Sequence, residues 1–388
     1  MKSERGAPFR PFFMLAALDA MLGGAVWALP AEIIVLSVRS AGNWHRHVVL
    51  FGTLPAILAG FLLTALPRWT GQKPVPPVVT WRLVGVWVLG RMVFVLVDQM
   101  TGSALFALFL LLVMLVLARS MRVGRDRRNL KVLALLMLYW TAMLLIIVGW
   151  QAELATRTAL AAIVGLVMVI GGRVVPTLTE AYLQSGAQGA EIARARVETA
   201  AALAAVGALA AWTAAPGSWL AAIACIAAAC LQLGRLAAWR GWRSRRSAAI
   251  LVLHIGYLWI VVGFMLAAAS SFLPAIVGPA AAVHTWTVGA VGTMAMGIMA
   301  SMVRKHAGRA FAASIPATAA FVAMSSAAVL RQVVEFSPAL PYALQLSGIC
   351  WVAAWALFIV FSCSVGGLRG AVSCVRRQRS CSRYSRHV

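Results

Sequence analysis

KVLALLMLYWTAMLLIIVG, residues 131–149, carries a charge only at Lys131. An α-helix needs about 20 predominantly apolar residues to cross the hydrocarbon of a bilayer, and this stretch supplies them. LVGVWVLGRMVFVLV (83–97), ALFALFLLLVMLVLA (104–118) and AAWALFIVFSCSVGG (353–367) read the same way. A spanning β-strand would instead alternate apolar and polar residues over about 10 positions, and no segment does so. The 388-residue chain is 62% hydrophobic and 11% charged, with a mean hydropathy of +0.88, which excludes a set of soluble domains.

Working outward from that segment, the hydropathy pattern predicts an all-α polytopic membrane protein of twelve spans. Their limits are 11–30, 48–66, 81–98, 103–118, 131–149, 158–172, 200–215, 218–236, 249–269, 283–303, 311–330 and 343–365. The first follows Lys2, Arg5 and Arg10 as a signal peptide would, but no small-residue cleavage site comes after it, so it is read as a retained span. Residues 1–370 form one transmembrane domain in this reading, and 371–388 a basic, disordered tail. With the N-terminus in the cytoplasm, 29 Lys and Arg fall on the inner side and 4 on the outer, with Arg91 inside a span. That asymmetry follows the positive-inside rule and puts both termini in the cytoplasm.

The formal net charge of +24 is explained by inner loops and the tail, where it serves topology and attraction to anionic lipid. The bilayer is therefore the expected partner. Nucleic acid is not, because no aromatic-interleaved fold accompanies the basic residues. Cys225, Cys230, Cys350 and Cys363 read as small apolar packers, and Cys374 and Cys381 as thiols of the tail. The connection 173–199 has the composition of an amphipathic surface helix interrupted near Gly186 and Gly189.

Five of the six histidines, His45, His47, His254, His284 and His306, lie at or near the ends of spans. Imidazole is costly in hydrocarbon unless it is paired or bound to metal, so their placement points to chemistry. In the predicted topology His45, His47 and His284 gather at the outer surface, and His306 approaches His254 at the inner one. His284 and His306 are 22 residues apart, about 33 Å along a helix, and cannot share a ligand. If Asn43 caps span two, His45 shares a face with Gly52, seven residues on, and His47 points elsewhere. Neutral imidazole suits iron, copper and zinc, and Met294, Met296, Met299 and Met302 add soft character, with packing as their competing role.

Spans two and ten also share a pattern. Counting from His47, residues Gly52, Ala56, Gly60, Thr64 and Gly71 match Gly289, Thr293, Gly297, Ser301 and Gly308 counted from His284. Such stripes admit either a neighbouring helix or a flat ligand. Asp19, Arg91 and Asp98 are the other intramembrane charges, and the first two fall near mid-membrane as a candidate ion pair. Arg173 sits at the inner end of span six, where it either holds a carboxylate or anchors in the headgroups.

FRPFFMLAALDAMLGGAVW (9–27), NWHRHVVLFGTLPAILAGFLLTALPRWTG (43–71), GGRVVPTLT (171–179) and HTWTVGAVGTMAMGIMASMVRKHAGR (284–309) together resemble the successive motifs of the NnrS family. The resemblance covers about residues 8–330. It implies a twelve-span protein of the bacterial inner membrane that contains haem and copper and is linked to nitric oxide, denitrification and nitrosative stress. By motif position it makes His45, His47, His284 and His306 candidate metal ligands, and adds Arg173, toward a haem propionate, and His254 as cofactor-binding residues. Four positions depart from the pattern: Val48 where the family reads Glu, Arg68 where it reads Asn, and Ser301 and Lys305 for an Arg and a Gly. Val48 removes a carboxylate that the family pattern offers for proton delivery or ligation.

The expected function is a haem- and copper-binding protein that engages nitric oxide or metal-nitrosyl species. A membrane redox enzyme resembling haem-copper reductases is the alternative, with an unidentified redox partner, and a transporter of a small solute or metal is a third reading. Scarce intramembrane carboxylates weigh against the enzyme, and the near absence of helix-breaking residues in spans two and ten weighs against the transporter.

Overall fold

The computed structural model describes residues 7–29, 38–183, 191–309, 314–337, 340 and 342–366. Among them no strand occurs, and twelve helices are long and apolar enough to cross a membrane. These are α1 (Phe9–Ala28), α2 (Ala41–Trp69), α3 (Pro77–Leu96), α4 (Gln99–Val123), α5 (Leu130–Ile147) and α6 (Ala152–Leu183), followed by α7 (Val197–Ala214), α8 (Trp219–Ala238), α9 (Ala248–Phe272), α10 (Pro279–His306), α11 (Ile315–Phe336) and α12 (Ala343–Val365). Backbone groups have no water to bond in hydrocarbon, which is why a chain of this composition satisfies them within helices. The tail 371–388, with Cys374 and Cys381, and the glycines Gly186 and Gly189 lie outside the described residues.

The helix pairs α3 with α4, α5 with α6, α7 with α8 and α11 with α12 pack closely, and α1 lies between α2 and α12. Two helices occupy the middle. Of the apolar window of α2, 89% is buried, and of α10 78%, against 61% at most elsewhere. Large apolar side chains such as Leu96, Leu203, Val206 and Ile315 face outward, as bilayer contact requires.

The small-residue stripes serve helix contact. A Cβ on Gly60 would lie 2.7 Å from the Phe13 ring of α1; one on Gly289 would lie 2.7 Å from the Trp259 ring of α9, and one on Gly297 2.7 Å from Leu253. Lipid tails offer little hydrophobic drive for association, so close approach and dispersion hold such helices together. The flat-ligand alternative does not apply to these faces.

Both central helices are interrupted by π-helical turns, Val48–Thr53 in α2 and Thr285–Gly292 in α10. Each begins one residue after the histidine from which the internal similarity was counted. A π turn spends extra residues, so it shifts the phase of everything beyond it by about 100° per added residue. His45 bonds the Gly23 carbonyl of α1 and Gly52 lies against Asp19 of the same helix, while His47 points elsewhere, toward Ser103.

Several limits differ from those expected. α2 begins before Asn43, whose side chain accepts from Arg46 Nη2 at 3.0 Å instead of capping the helix. α6 continues through Pro176 to Leu183. Asp98 lies outside α3 and caps α4, accepting the Thr101 N–H at 2.7 Å, a bond that holds its carboxyl below the usual range. α11 extends far enough to carry Arg331 and Glu335, which hydropathy alone assigned to a connection.

The expected Asp19–Arg91 pair is present. Arg91 Nη2 lies 2.7 Å from Asp19 Oδ1, and Thr53 donates to Asp19 Oδ2 at 2.9 Å. The guanidinium stands within 6 Å of the ring centres of Trp44, Trp87, Phe94 and Phe106.

Candidate functional site

α2 and α10 each deliver one histidine to a shared cavity of about 440 Å³. His45 reaches it from the turn before the first π segment, and His284 from the residue before the second. His45 Nδ1 donates to the Gly23 carbonyl at 2.8 Å, and His284 Nδ1 to the Ala280 carbonyl at 2.9 Å. A carbonyl only accepts, so both rings carry their proton on Nδ1 and keep a lone pair on Nε2. Neither Nε2 has a hydrogen-bond partner among the described residues. This tautomer, fixed by a backbone acceptor, is the arrangement found behind metal-bound imidazoles.

The remaining walls are mainly apolar, from Trp27, Trp351 and Trp355 together with branched aliphatic side chains. Hydroxyls that line the cavity are already engaged: Thr287 donates to Val283 O at 2.8 Å, Thr53 to Asp19, and Ser347 to Ala327 O at 2.9 Å. Arg46 and Arg331 bring positive charge to the wall. Arg331 Nη1 is 2.5 Å from Glu335 Oε1, and the same oxygen is 3.9 Å from His284 Nδ1. The sequence reading missed Arg331 and Glu335. Their i, i+4 spacing of opposite charges at the end of an apolar run was the available signal.

The other candidates stand elsewhere. His47 is stacked between Phe94, with ring centres 3.5 Å apart, and Phe51, at 4.6 Å. Ser103 Oγ spends its proton on Gln99 O, so His47 Nε2 donates to it at 2.8 Å and the buried Nδ1 has no partner. His254 repeats this pattern, donating to Thr179 Oγ1 at 2.9 Å with its Nδ1 buried against Gly241. His306 rests on the Phe9 ring at 4.8 Å with Arg68 Nη2 3.5 Å from its Nε2. His254 thus meets Thr179 and Gly241, and His306 meets Phe9 and Arg68.

Arg173 binds Asn129 Oδ1 and, at 3.1 Å, the Arg128 carbonyl, with its guanidinium 5.5 Å from the Trp69 ring centre. These contacts tie α6 to the connection between α4 and α5, far from the histidine cavity. Val48 is fully buried against Gly23 of α1, so this position faces a helix contact.

Among the described residues no three His, Cys, Asp or Glu side chains converge as a ligand set. Two imidazoles alone do not make a closed four-coordinate structural site. They do suit a metal that receives its other ligands from a macrocycle or from a diatomic molecule. No curated protein matches the chain. Residues 5–365 match the description "NnrS protein". With twelve spanning helices over the same range, the chain belongs to the NnrS family.

Proposed function

We propose that this protein binds haem or copper through His45 and His284 and engages nitric oxide there, as part of nitric oxide metabolism or nitrosative-stress tolerance in the bacterial inner membrane. One observation carries the reading: two imidazoles from different central helices line one cavity, each held by a backbone carbonyl so that Nε2 is available. The walls fit the group. Aromatic and aliphatic side chains suit a porphyrin plane, and Arg331 and Arg46 supply the cations that its carboxylates would need. Bound metal would supply the site that nitric oxide ligates; the chain orients the two imidazoles, excludes water and neutralises peripheral charge. The charge bias of the loops supports a cavity on the periplasmic side, with both termini in the cytoplasm.

The redox-enzyme alternative calls for a second metal and a route for protons. Glu335 is the one carboxylate within 4 Å of a cavity histidine among the described residues, and it is already paired with Arg331. For a transporter, unwound mid-membrane helices are expected. α2 stays helical through Pro55, and α10 through its π segment.

The test is an optical spectrum and metal analysis of the purified protein. His45→Ala and His284→Ala should each remove the Soret band or the bound copper, while His254→Ala keeps it. A colourless, copper-free wild type, or a signal unchanged in both cavity variants, overturns the proposal.

A further inference from the structure

The end of the bundle opposite the histidine cavity holds a second cavity, of about 320 Å³, between the start of α1, the end of α10 and the end of α12. Phe9, Phe13, Met14 and Val303 make its wall apolar, and Arg10 and Ser362 add polar edges. Next to Val303, Arg304 is only 6% exposed. Its guanidinium carbon lies 5.5 Å from the Phe361 ring centre, beside Ser362. Its Nη1 has no hydrogen-bond partner, and neither has Ser362 Oγ.

Arg10 lines the cavity itself, and Arg68 stands further off. Arg10 lies 5.9 Å from the Phe9 ring centre, and Arg68 is joined to the same ring through His306. Among the described residues no carboxylate forms an ion pair with Arg10, Arg68 or Arg304. A guanidinium withdrawn from water without a counter-charge is strongly destabilising, and the face of one aromatic ring offsets only part of that cost. Among the described residues no counter-charge stands there, and an anion would supply it. Guanidinium matches phosphate oxygens two at a time, and a wall of aromatic and aliphatic groups at helix ends suits an acyl chain.

We infer that this cavity binds one anionic phospholipid, with the phosphate on Arg10 and Ser362, in the field of the buried Arg304 behind them, and a chain along Phe9, Phe13 and Met14. Basic pockets between transmembrane helices are the usual form of such sites. The occupant would clamp α1, α10 and α12 together at the end where they leave the bilayer.

Native mass spectrometry of the delipidated full chain in detergent tests this, with phosphatidylglycerol or phosphatidylcholine of the same acyl chains added. One phosphatidylglycerol should be retained at concentrations where phosphatidylcholine is not. Arg304→Gln and Arg10→Gln should each weaken that binding roughly fivefold or more. Arg10 is partly exposed, so its variant decides the matter if Arg304→Gln does not fold. Equal retention of the two lipids, wild-type binding in the variants, or displacement by millimolar inorganic phosphate overturns the inference, the last by showing a site for a soluble anion.

Discussion

In α2 the π turn leans on a buried ion pair; in α10 the corresponding turn leans on aromatic rings. The carbonyls that a wide turn leaves poorly bonded are met in α2 by side chains. Trp87 Nε1–H reaches Gly52 O at 3.1 Å and the Tyr139 hydroxyl reaches Leu50 O, while Asp19 and Arg91 press on Gly52. Across 285–292 no carbonyl receives a side-chain donor among the described residues. There Gly289 seats Trp259, and Trp286 packs on Trp212 and Phe264 at 5.0 and 5.3 Å. The two halves of the histidine cavity therefore rest on different forces. Hydrogen bonds and charge from α1, α3 and α5 set the position of His45, and close packing with α7 and α9 sets that of His284.

The largest expected effect comes from breaking the α2 support. Asp19→Asn or Arg91→Met leaves the other member buried without its counter-charge, a loss of ~3–5 kcal/mol. Replacing both by Leu should recover most of it, since the cost lies in the orphaned charge. Thermal unfolding in detergent would show it. Single variants with wild-type stability would mean that the pair does not hold the α2 turn.

A smaller loss should follow on the α10 side. In Gly289→Ala the new methyl would lie 2.7 Å from Trp259, a fixed ring, and relief requires a helix shift costing about 1–3 kcal/mol. The shift falls one turn from His284, so a signal that depends on His284 should weaken while the environment of His47 stays unchanged. If stability and cavity binding are both untouched, packing does not set the α10 half.

Much of this scaffold was legible in the sequence. Apolar run length located every span, because a helix must satisfy its backbone inside hydrocarbon whatever its neighbours are. The Asp19–Arg91 pair was legible too, since two opposite charges at similar depth have few other partners. The π turns were not. They are insertions of phase, invisible to a count that assumes 3.6 residues per turn. Arg331 and Glu335 were hidden for a related reason: charges end a hydropathy window even where the helix continues.

The smallest effect concerns the approach to each histidine. α10 reaches His284 through Pro279 and three alanines, a stiff start with a proline in the first turn. α2 reaches His45 through Gly42, a residue within a helix that has nothing within 4 Å of where a Cβ would stand. Gly42→Ala removes backbone freedom from the unfolded chain without a clash, so it should raise stability by about 0.5–1 kcal/mol. The methyl would also stand in the cavity lining beside His45. Slower ligand exchange with unchanged equilibrium metal content would then place the entrance on the α2 side, whereas a loss of stability would show that the turn before His45 is not helical and that the two approaches differ in more than stiffness.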